Sequence, residues 1–149
     1  MTDQEYGVSS SGIDIAALNL EIYRLEERRD WIQRELLRIK QESEECDKTK
    51  TSIFGKEQEL EEFIIKTLSS IRQKKEDHPD IIFFKRIEDD VSDVLKGHVV
   101  NKLFQSYQDM RRTIQNAVVT NDRTIESLSA ELREIDLRLQ QHYVERSKN

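Results

Sequence analysis

A three-four repeat of apolar residues runs through this chain and limits what it can become. It passes through Ile15, Leu18, Ile22, Leu25, Ile32, Leu36 and Ile39, and again through Ile114, Val118, Ile125, Leu128, Leu132, Ile135 and Leu139. A period of 3.5 residues places such a series on one face of an α-helix, and long helices with a greasy seam need other helices to cover it. The expected fold is all-α: elongated antiparallel helical hairpins, or a four-helix bundle, with coiled-coil packing.

Composition narrows the class of partner. Charged and hydrophobic residues each make up 36% of the 149 positions. That mixture suits an extended bundle, or a subunit that completes its core with another protein. Lys and Arg alternate with Glu and Asp around a net charge of -6, so no basic stripe exists to neutralise phosphates and nucleic acid is not an expected partner. The longest apolar run, Ile81-Ile82-Phe83-Phe84, is far below the roughly 20 residues of a membrane span, which argues against membrane insertion. The segment Met1-Thr2-Asp3-Gln4-Glu5 lacks the basic and apolar regions of a signal peptide, and the single cysteine, Cys46, has no internal disulfide partner. Both point to synthesis in the cytoplasm.

Along the chain, residues 1–13 read as a flexible tail, with Ser11 or Asp14 available to cap the first helix. Residues 14–75 read as an N-terminal long helix or helical hairpin. The polar stretch 41–52, with Thr49, Thr51, Ser52 and then Gly55, favours a break or bend near 47–56. One continuous helix from 14 to 76 is the alternative, because Ile53, Leu60 and Ile64 keep the earlier phase. Arg29, Ser43 and Lys50 fall where seam residues are expected, and polar seam residues can fix register and partner choice. Pro79 ends this segment, with Asp77 a candidate N-cap for the next. Residues 80–146 read as a helix-turn-helix hairpin with its turn at 95–98. A four-residue step from Ile114 to Val118 reads as a stutter, and Thr120-Asn121-Asp122 as a weak spot.

Catalytic chemistry is not visible. His78, His98 and His142 are scattered, without the three or four converging ligands a metal requires. The acidic clusters at 42–47, 57–62 and 89–93 lack the alternating ligands and central glycine of a calcium loop. Cys46 sits among Glu44, Glu45 and Asp47, which oppose thiolate formation. No glycine-rich phosphate loop is present, so neither an enzyme nor a cofactor is expected. Leu20, Tyr23 and Trp31 form a secondary face, open either to a partner or to a third helix of the chain. The candidate protein interface comprises Leu18, Leu25, Trp31, Ile32, Leu128, Leu132 and Ile135.

The segment Leu95-Lys96-Gly97, followed by Val99, Val100, Leu103 and Tyr107, carries a resemblance. It resembles the hairpin centre of the small Trp-x-Gly (ESAT-like) proteins of type VII secretion, with Leu95 in place of the tryptophan. In particular it resembles the small helical partner proteins of Leu-x-Gly toxins. The resemblance spans about residues 80–146. It implies a hairpin turn shaped by Leu95, Gly97, Val100, Leu103 and Tyr107. It also implies a non-catalytic adaptor, or chaperone, that binds the toxin's helical targeting region and assists its delivery, with co-secretion by a non-classical route. The family's Tyr-x-x-x-Asp/Glu export signal is not met, since Ser147 stands four positions after Tyr143. The alternative function is a structural coiled-coil subunit, a scaffold or tether in a homo- or hetero-oligomer.

Overall fold

A computed structural model describes the backbone of residues 6–149 and the side chains from Ile15 onward. The protein is all-α. Its helices are α1 (Tyr6–Asp77), α2 (Ile82–Leu95) and α3 (His98–Lys148). Of the expected tail, residues 1–5 lie outside the described residues, and from Tyr6 the backbone is already helical, so neither Ser11 nor Asp14 caps a helix start.

The expected break near 47–56 is absent: α1 is continuous through it. The local reasons are visible. The hydroxyls of Thr49 and Thr51 donate to the carbonyls of Glu45 and Asp47, at 2.9 and 3.0 Å, which satisfies them within the helix. The heptad also never lapses. Arg29, Leu36, Ser43, Lys50, Glu57 and Ile64 stand seven apart, and none is exposed. Packing along the seam overrides the weak propensity of individual residues.

In α3 the expected stutter is likewise absent. Tyr107, Ile114, Asn121, Leu128, Ile135 and His142 stand seven apart, all shielded to some degree, as do Phe104, Arg111, Val118, Ile125, Leu132 and Leu139. The gap after Ile114 is filled by Asn121, which an apolar pattern cannot register. The helix runs unbroken through 120–122.

One of the two compact units is inserted within the other. Unit 1 combines α1 up to Ser43 with α3 from Thr120, and unit 2 comprises Glu44–Val119. Unit 1 therefore joins two segments distant in sequence, whereas unit 2 is one continuous stretch that contains the expected division at 75–80.

Unit 1 is organised by a core of Ile22, Ile32, Leu36, Ile39, Leu128, Ile135 and Leu139, with Leu18, Leu25, Ile125, Leu132 and Tyr143 packed against it. Its cross-helix polar contacts pair Glu21 with His142, Arg28 with Glu131 and Ser43 with Asn121. Rising positions on α1 meet falling positions on α3.

Unit 2 shows the same order. Arg72 and Lys75 reach Glu88 at 3.6 and 2.9 Å, Glu57 pairs with Arg111 at 3.1 Å, and Lys50 donates to Gln115 at 2.5 Å. Between these, Ile64 and Ile65 share a cleft with Leu95, Lys96 and Phe104. The progression passes Gly97 without reversing. The expected hairpin turn at Leu95, Gly97, Val100, Leu103 and Tyr107 is therefore corrected: the chain is only interrupted there, and it turns back between Asp77 and Ile82. In that turn the Ile81 N–H donates to the His78 carbonyl, spanning Pro79, whose fixed φ suits the position. Asp77 does not cap α2. Its carboxylate accepts from the Gln73 amide at 3.0 Å, and the capping position falls to Ile81 without a side-chain bond.

Gly97 still has a physical role. Its φ is not positive, so left-handed backbone is not the reason for glycine here. A Cβ at this position would lie 2.5 Å from the Asp93 carbonyl oxygen. The junction between α2 and α3 is close-packed backbone that any side chain would push apart.

Candidate interaction surface

The residues expected to meet a partner are mostly used inside the chain. Ile32 is fully buried, Leu128 and Ile135 are buried beside it, and Leu18, Leu25 and Leu132 pack against the same cluster. Their heptad spacing indicates a covered seam, and it is α3 of the same chain that covers α1. That corrects six of the seven expected interface residues. Trp31 differs, with 43% of its surface exposed and the Arg28 guanidinium 4.4 Å over its ring. Leu20 and Tyr23 of its face are exposed too.

Arg28 is itself held. Its Nε and Nη2 donate to the two carboxylate oxygens of Glu131 at 2.7 and 3.0 Å, a bidentate fork that keeps the Glu131 carboxyl below its usual pKa. The Tyr143 hydroxyl donates to Glu26, and this bond raises the phenol pKa. Such contacts link α1 to α3 within unit 1.

Unit 2 carries the surface that sequence reasoning missed. Leu68 and Glu57 are its only buried side chains among the described residues. Large apolar groups face outward instead: Phe54, Phe63 and Ile65 on α1, Ile82, Phe83 and Val94 on α2, and Val99, Leu103 and Met110 on α3. Phe63 is 58% exposed and Val99 78%. Val99, Leu103 and Met110 are four and seven residues apart, which puts them on one face of α3. Two shallow clefts continue this surface. One, of about 370 Å³, lies between Ile53 on α1 and Met110 and Ile114 on α3. The other, of about 340 Å³, is lined by Ile64, Ile65, Leu95 and Phe104, with Glu61, Lys96 and Asn101 at its polar positions. The spacing reads Leu103, Tyr107, Met110 and Ile114 together as the opening of the α3 seam, but only Tyr107 and Ile114 are shielded, while Leu103 and Met110 are exposed.

The arrangement offers apolar grooves with a few polar groups, suited to accepting a helix side-on. Among the described residues no group of three His, Cys, Asp or Glu is placed to hold a metal ion, and no helix is long and apolar enough to cross a membrane. The Lys75 ammonium holds the Glu88 carboxyl below its usual pKa, and the paired acid is structural in position, beside the turn. His78, in the turn itself, stacks on Phe84 with ring centroids 5.6 Å apart. No protein-family model matches the sequence, and no match was found among curated proteins or solved structures.

Proposed function

We propose that this chain is a non-catalytic helical adaptor that binds a helix of another protein through unit 2. In this reading each unit is an antiparallel coiled-coil helix pair. Unit 1 closes its own seam and serves as the stable part, while unit 2 presents apolar side chains for a partner. The observation that carries the proposal is the outward placement of Phe63, Val99, Leu103 and Met110 in a unit with so little buried apolar surface of its own. Large apolar residues exposed together in one unit are the material of interaction surfaces.

The proposed partner class is the helical targeting region of a type VII secretion toxin of the Leu-x-Gly kind. Its support is the resemblance of Leu95–Gly97 and the apolar positions after it. The reversal that the resemblance implies at Gly97 is not found, so unit 2 and not the motif bears the weight. Light scattering during size exclusion tests the reading, with the chain alone and mixed with the N-terminal helical region of a Leu-x-Gly toxin. The expected result is a stoichiometric complex that Leu103→Ser with Met110→Ser abolishes while leaving helicity intact. A complex indifferent to those changes, or none, contradicts it.

The second reading is a structural coiled-coil subunit that assembles with itself. Exposed apolar residues on unit 1 as well, namely Leu20, Trp31, Leu137 and Val144, favour it. A mass at a multiple of the 17.7 kDa chain without any partner would decide for this alternative.

A further inference from the structure

A uniform heptad seam has a weakness. Sliding one helix past the other by seven residues returns apolar groups to apolar groups, so repetition alone does not choose a register. The seam of unit 2 is not uniform. Glu57, 8% exposed, occupies it opposite Arg111, whose Nη2 lies 3.1 Å from Glu57 Oε2 and donates to Oε1 at 3.3 Å. Arg111 Nε, equally shut off from solvent, has no hydrogen-bond partner. Glu57 is buried and Arg111 half-buried, with 30% of its side chain exposed. A desolvated, incompletely bonded pair of this kind is a weak source of stability, and apolar residues of similar size would hold the seam about as well.

We propose that the Glu57–Arg111 pair is a register lock that admits one alignment of α1 against α3. A slip of one heptad would bring Glu57 opposite Phe104 or Val118, and Arg111 opposite Lys50 or Ile64. Each alternative sets a charge against an apolar side chain or against a like charge, which is costly away from water. The native alignment is the one in which the charges cancel. Lys50, also in the seam, supports it by donating to Gln115 at 2.5 Å. Unit 1 carries a neutral counterpart, where the Asn121 amide donates to the Ser43 hydroxyl at 3.3 Å. The lock determines which side chains of the two helices lie side by side on the outer face, and so preserves the clefts lined by both.

Pulsed electron–electron resonance tests this on the full chain. Nitroxides are attached to Lys48→Cys and Lys102→Cys in a Cys46→Ala background, positions exposed and offset along the helices. A one-heptad slip then lengthens or shortens their separation by about 10 Å, seven residues at about 1.5 Å each. The chain with its native pair is expected to give a single distance. Glu57→Leu with Arg111→Leu is expected to melt at or above the parent temperature and to add populations displaced by about that amount. The exchanged pair, Glu57→Arg with Arg111→Glu, is expected to restore the single distance. A single distance in the double-leucine chain, displaced populations in the parent, or failure of the double-leucine chain to fold would each overturn the lock.

Discussion

Unit 1 and unit 2 share the same helices and the same heptad, yet they spend their apolar residues differently. Unit 1 places its seam residues in one cluster, with Ile32 and Leu139 almost wholly buried. Unit 2 fills several seam positions with Lys50, Glu57 and Arg111 and turns Phe63, Val99 and Leu103 outward. A repeat therefore specifies that helices pair, but the residue at each repeat position decides whether the pair is self-sufficient. Where buried apolar residues dominate the seam the apolar side chains are covered, and where Lys50, Glu57 and Arg111 hold it more of them stay exposed.

The strongest way to break the contrast is to empty the core of unit 1. Ile32→Ala should cost about 2–5 kcal/mol, because the cavity has no solvent to fill it. Chemical denaturation followed by circular dichroism measures this, and a loss below about 1 kcal/mol would mean that unit 1 is not the stable part. Next in size is Gly97→Val. The new Cβ meets the Asp93 carbonyl, and overpacking of this kind costs about 1–3 kcal/mol. The loss should appear in unit 2 as faster amide exchange over 88–104.

Gly55→Ala should act the other way. Nothing lies within 4 Å of its added methyl, and a helix-interior glycine gives up about 0.5–1 kcal/mol relative to alanine. A rise in melting temperature checks it. Phe63→Ser should change stability by less than about 0.5 kcal/mol, since the ring is mostly exposed, while weakening partner binding. Equal losses from Phe63→Ser and Ile32→Ala would erase the distinction between the units.

The smallest effect concerns acid. Glu131 beside Arg28 and Glu88 beside Lys75 both have lowered pKa values in the folded chain. Their pairs stabilise fully above the usual carboxylate pKa and are lost as pH falls through the lower folded value. Arg28→Gln and Lys75→Gln should each slightly flatten the fall in melting temperature between pH 7 and pH 3. Both side chains in each pair have access to solvent, so the change should be modest.

The helices themselves were legible because a 3.5-residue period is a direct consequence of helix geometry. Pro79 and Gly97 were correctly placed as interruptions, though the meanings of the two were interchanged: the turn forms at Pro79 and the close-packed junction at Gly97. Arg29, Ser43 and Lys50 were legible as polar seam members, but Glu57, Arg111 and Asn121 were not read so, because their cross-helix partners are distant in sequence. The same blindness produced the expected stutter at Ile114–Val118. The interface residues were misjudged for a related reason. Spacing identifies a sticky face but not whether the chain already covers it, and Leu128 and Ile135 are buried against α1. Cover depends on which segments meet, a property of the whole fold.

Hydrogen exchange followed by mass spectrometry on the intact chain tests the central claim most directly. Peptides from 18–40 and 124–142 should be the slowest to exchange, and peptides from 44–70 and 98–116 should exchange at least tenfold faster, since fewer buried apolar contacts resist local opening. Uniform protection along all the helices, or slower exchange in 44–116, would contradict the division into a self-completed unit and an open one.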